Sequence, residues 1–238
     1  MAADSLWTAI ALSGIAGAAI PLGGFLSSID RIRPAWLEDQ LRHTVAAVGG
    51  GALLSAVALV LVPEGAARVS PALALILFGL GGFVFFVVDR TLQKRSGSTA
   101  QLLAMVLDFL PEAMALGALL VSDQATALLL TILITLQNLP ESFSAFRDLR
   151  TTSTMSAARI IGLFAAIALL GPMAAVLGEQ ILVDLPGILG GIMMFAGGGI
   201  LYLTFGDIAP DAKLEKHWAP PLGAVGGFML GLAGSLYI

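Results

Sequence analysis

The stretch "AMVLDFLPEAMALGALL" (104–120) has the length and apolar content of a membrane helix, yet Asp108, Pro111 and Glu112 interrupt its middle. A second stretch, "TILITLQNLPESFSAF" (131–146), repeats the interruption with Gln137, Asn138, Pro140 and Glu141. The rest of the chain decides how to read them. It is 58% hydrophobic and only 12% charged, against about 25% charge in an ordinary soluble domain. Its mean hydropathy is +0.94. These values describe a polytopic membrane protein, so both stretches place acids and prolines where lipid-compatible residues are expected.

Apolar segments run over about 6–29, 41–63, 71–88, 101–121, 125–146, 157–178, 186–206 and 219–238. Each is near the roughly 20 residues that cross about 30 Å of hydrocarbon. Strand-like alternation is missing. The expected fold is therefore all-α, with eight transmembrane helices in one domain covering 1–238. Glycine triplets at 49–51 and 197–199 suit close helix packing. The loops are too short to hold a soluble catalytic domain.

The basic residues set an orientation. Arg31, Arg33, Arg42, Arg90, Lys94, Arg95, Arg147, Arg150, Arg159, Lys213 and Lys216 all fall on one side of the eight segments, and only Arg68 falls on the other. The positive-inside rule assigns that side to the cytoplasm and both termini to the outside of a cell inner (plasma) membrane. No Lys or Arg precedes the first apolar run, which argues against a cleaved signal peptide. Cysteine is absent, so disulfides, thiolate metal sites and cysteine nucleophiles are excluded. The net charge of −4 gives no reason to expect nucleic acid.

Of the sixteen acidic residues, three lie deep in the apolar segments: Asp108, Glu112 and Glu141. No Lys or Arg lies deep enough to neutralise them. A carboxylate at a helix centre costs on the order of 3 kcal/mol on insertion scales. Asp108 and Glu112 are spaced i, i+4 and share a face of the fourth helix; Gln137 and Glu141 do the same on the fifth. A connection of about four residues makes these helices antiparallel neighbours, so the polar faces can meet. Pro111 frees the carbonyl of Leu107, and Pro140 frees that of Leu136. A hydrogen-bonded lock between two helices would use the same groups. Three acids without a base favour a metal ion, because they would otherwise repel one another or take up protons.

This arrangement resembles the ZIP (Zrt/Irt-like) family of divalent metal-ion transporters. "DFLPEAMALGA" resembles its fourth-span motif, "QNLPESFSAF" its fifth, "GGGALLSAVALVLVPEG" its second, "IALLGPMAAVLG" its sixth and "GGGILYLTFGDIAPDA" its seventh. The resemblance implies metal ligands at Asp108, Glu112, Gln137 and Glu141, with Asn138 in reserve. Asp108 stands where the family usually has His, and Phe109 where it often has Asn. Gly171 stands where many bacterial members carry Glu. The loop at 89–100 lacks the family's His-rich run. A mononuclear, all-oxygen site is expected, which leans toward Mn²⁺, with Fe²⁺ and Zn²⁺ acceptable.

Glu64 is a candidate for the outer entrance. Asp207, Asp211 and His217 are candidates for the inner exit, although each also reads as a solvated helix end. Met105, Met114, Met193 and Met194 read as packing. The expected partners are the divalent ion, carried as substrate rather than as a cofactor, and the lipid bilayer, with a homodimer left open. Three rival readings are a transporter of another cation, a non-transporting metal sensor or scaffold, and an intramembrane enzyme. The last lacks a His-Glu-x-x-His motif or a triad-like Ser or Cys context.

Overall fold

A computed structural model describes residues 2–29, 35–93, 98–211 and 218–237. These residues form helices and no strands. We number the long helices α1 (Ala2–Ile29), α2 (Ala35–Ala56), α3 (Pro71–Gln93), α4 (Ser98–Ser122), α5 (Gln124–Thr152), α6 (Ala157–Gln180), α7 (Pro186–Leu203) and α8 (Ala219–Tyr237). α2 continues through a π turn, Val57–Leu61, and a last α-helical turn, Val62–Ala66. α7 continues into a second π turn, Thr204–Ile208.

Local chemistry sets the ends. Pro71 and Pro186 open α3 and α7, where a missing N–H costs nothing. Ser156 caps α6 by accepting from Arg159 N. One residue, Asp123, joins α4 to α5, shorter than the four expected, and its carboxylate caps α5 by accepting from Thr126 N at 3.1 Å and Thr126 Oγ1 at 2.6 Å.

Seven apolar helical segments are long enough to cross a membrane: Ser5–Ile29, His43–Ala66, Pro71–Thr91, Met105–Ser122, Ala157–Asp184, Pro186–Gly206 and Ala219–Tyr237. α5 is not among them. It has 29 residues, but Gln137, Asn138, Glu141, Ser142 and Ser144 dilute its apolar content.

The helices form two groups of four. α1, α4, α5 and α6 pack together, as do α2, α3, α7 and α8; α2 against α5 and α4 against α7 join the groups. Glycines set the closest seams. A Cβ at Gly117 would stand 1.9 Å from Ala175 O, one at Gly198 1.9 Å from Phe78 O, and one at Gly227 2.0 Å from Val48 O. α4–α6, α3–α7 and α2–α8 therefore touch backbone to backbone, which only glycine permits. Contacts also fix direction. Residues 44, 48 and 55 of α2 meet 223, 227 and 231 of α8 in order, so these helices are parallel. Residues 5, 13 and 17 of α1 meet 179, 171 and 168 of α6, so these are antiparallel. Each π turn faces glycine on the other helix. Gly50 lies under Ile208, and Gly197 lies under Val57 and Val62.

Candidate metal centre

α4 and α5 each run through their proline without breaking. Gly49 of α2 makes room for the Pro140 ring, since a Cβ there would lie 2.5 Å from Pro140 Cγ. The two Pro-Glu segments are thus held side by side.

The polar faces do meet. Asp108, Glu112 and Gln137 are 3%, 0% and 3% exposed. Gln137 Nε2 donates to both Glu112 oxygens, at 2.8 Å and 2.7 Å. A nitrogen that near-equidistant lies close to the bisector of the carboxylate, where a chelated cation would sit. Asp108 Oδ1 and Gln137 Oε1 are buried without a hydrogen-bond partner. Asp108 and Glu141 both lie close enough to Glu112 to repel its charge. Glu141, one turn from Gln137 toward Arg147, is half-buried. Among the described residues, no three Asp, Glu, His or Cys side chains converge closely enough to hold a metal ion. The four residues share a region, but their oxygens are not gathered into a closed cage. The donors on hand are carboxylate and amide oxygens, chemistry suited to hard or borderline divalent ions.

Asn138 is turned elsewhere. Its Nδ2 donates to Ala16 O of α1 at 3.1 Å, and the Ser142 hydroxyl donates to Ala19 O at 3.4 Å. These two residues staple α5 to α1, so the Asn138 amide nitrogen serves a structural contact. Phe109 and Gly171 fit each other: a Cβ at Gly171 would lie 2.4 Å from Phe109 Cζ. The ring, 1% exposed, fills the space beside Asp108 that a side chain at 171 would enter.

Toward Asp123, Leu116, Leu119, Leu130, Leu133 and Ile134 are each 0% exposed, and Thr131 among them is 4% exposed. Toward Arg147, Ser142 and Ala145 are buried, while Leu107, Leu110, Glu141, Phe143 and Ser144 are half-buried.

Among the other candidates, Glu64 is ion-paired with Arg68 at 2.5 Å, and Arg68 also donates to the Glu64 carbonyl at 2.6 Å. The one basic residue on the expected outer side therefore neutralises the proposed entrance acid. Asp207 lies in the second π turn and Asp211 ends a short helix, Ala209–Asp211, but their side chains, and all of His217, lie outside the described residues. So do Arg31, Arg33, Lys94, Arg95, Lys213 and Lys216. Met105, Met193 and Met194 are buried core residues, and Met114 packs against the core.

One buried acid escaped the sequence reading. Glu179, at the end of α6, is 6% exposed and accepts from Ser5 Oγ at 2.7 Å and from Gln180 Nε2. Its position at a span end suggested solvent, and nothing near it in sequence points to Ser5.

No protein-family model matches the chain, and comparison with curated proteins gives no significant match.

Proposed function

We propose that this protein is a ZIP-like transporter that carries a divalent transition-metal ion toward the cytoplasm through one carboxylate-rich site between α4 and α5. The observation that carries the proposal is the buried meeting of Asp108, Glu112 and Gln137, with two oxygens left without partners. Unpaired acceptors in a dry interior are costly. A cation that arrives and leaves gives them a use, whereas a permanent helix lock would leave Asp108 Oδ1 stranded.

In this reading α5 is the eighth crossing. It runs parallel to α1, since 16 meets 138 and 19 meets 142 in order, and it is joined to α4 by Asp123 alone. A helix so placed crosses with its neighbours, its polar residues sheltered by α1, α2 and α4. Eight crossings, with the basic residues between them on one side, put both termini outside a plasma membrane. The ion sheds part of its water, meets Asp108, Glu112, Gln137 and Glu141, and leaves when α1, α4, α5 and α6 move against the other four helices. Phe109 and Gly171 provide no oxygen for a second ion.

A second reading has two observations in its favour. The Gln137–Glu112 clamp and the absence of a closed three-acid cluster among the described residues also suit a non-transporting scaffold or sensor. Titration of the purified chain with Mn²⁺, Fe²⁺ and Zn²⁺, for wild type and Asp108→His, tests the site itself. One ion per chain is expected, with the Mn²⁺/Zn²⁺ affinity ratio moving toward zinc in the variant, because imidazole is the softer donor. An unchanged ratio removes Asp108 from the ligand set.

A further inference from the structure

The Gln137 amide does more than complete a donor set. It offers nitrogen, not oxygen, to Glu112, and that nitrogen lies 2.8 Å and 2.7 Å from the two carboxylate oxygens. Its own oxygen, the atom a cation would want, is buried and unpartnered. The side chain is thus set to satisfy a carboxylate that has no ion, and to obstruct chelation by that carboxylate while it does so.

We propose that the Gln137 amide is an internal stand-in for the cargo: in the ion-free carrier its N–H₂ holds Glu112, and it lets go when an ion takes that position. The inference rests on the transport reading. A carrier that delivers net cargo must return empty, and an empty site leaves Glu112 buried with no counter-charge from a Lys or Arg among the described residues. Hydrogen bonds to a charged acceptor are among the stronger ones a protein can supply. Holding Glu112 through the empty return lowers the barrier of that step alone. When the ion is aboard, it performs the same service, and Gln137 is free to turn its oxygen toward it. The group is a positioning residue for the empty half of the cycle.

Two transport modes separate this role from simple ligation. Net Mn²⁺ uptake into metal-free vesicles requires empty return; exchange of radiolabelled Mn²⁺ against internal Mn²⁺ does not. The full chain is reconstituted as wild type, Gln137→Leu and Gln137→Met, the second keeping the length while removing the donor. The ratio of net uptake to exchange is expected to fall about tenfold in both variants, the size of effect that loss of one charge-assisted hydrogen bond produces. Equal loss of both modes, or loss of neither, overturns the inference. The Met variant decides if the Leu variant does not fold. A wild type that shows neither mode refutes the transport reading itself, a different result from either of these.

Discussion

Replacing Glu112 by glutamine should make the protein more stable and inactive at once. Glu112 is 0% exposed, and among the described residues its two oxygens accept from the Gln137 amide, at 2.8 Å and 2.7 Å. Removing a charge from that position recovers about 3 kcal/mol on insertion scales. Turning a charge-assisted bond into a neutral one loses about 1.5 kcal/mol. The new amide can also donate to Gln137 Oε1, now without a partner, which returns about 1 kcal/mol. The sum is a gain of about 2.5 kcal/mol without metal, equivalent to a rise of about 5–10 °C in unfolding temperature for a chain of this size. Glu112→Ala also removes the charge, but strands the Gln137 N–H₂ and opens a void, so it should fall about 2–3 kcal/mol below the glutamine variant. Thermal unfolding in one detergent, free of metal, with vesicle uptake run in parallel, measures both effects. A glutamine variant that unfolds below wild type would refute the electrostatic reasoning; one that transports at the wild-type rate would refute the role of the carboxylate.

Three further outcomes are expected. Gly171→Ala puts a Cβ 2.4 Å from the Phe109 ring, so it should destabilise by about 1–3 kcal/mol, and Phe109→Leu on the same chain should recover much of that loss; additive effects in a double-mutant cycle would deny the contact. Asp123→Ala removes the α5 cap at a cost of about 1 kcal/mol. The hydrogen bonds from Thr126 hold the Asp123 carboxyl below its ordinary value, so its contribution is complete above the unfolded value of about 3.9 and is lost as pH falls through the lower folded value. The difference between wild type and variant should therefore be flat above about pH 5 and shrink in acid; a difference that grows in acid contradicts the cap. A cleavable tag after residue 238 should be cut from outside intact spheroplasts, and full protection would reverse the orientation drawn from the basic residues.

The paired polar faces were legible because i, i+4 spacing is a property of one helix, and a connection read as about four residues, and found to be Asp123 alone, makes α4 and α5 neighbours. What Asn138 does was not legible. It sits about 100° around α5 from Gln137, and only the position of α1 decides that it reaches Ala16 rather than the acids. Glu179 was hidden for the same reason: its partner Ser5 is 174 residues away. The glycine triplets signalled close packing, but not that each would face a π turn on the opposite helix. α5 shows the limit of hydropathy most plainly. The polar residues that mark it as a candidate site, together with those that hold it to α1, make it too polar to count as a span by composition.

Metal uptake by the purified chain in sealed vesicles tests the central claim most directly. The account predicts saturable Mn²⁺ accumulation, competed by Fe²⁺ and Zn²⁺, present in wild type and lost in Glu141→Gln, a half-buried residue one helical turn from Gln137. Accumulation no greater than in protein-free vesicles, from a folded protein that binds the ion, would contradict transport; accumulation unchanged in Glu141→Gln would contradict the site.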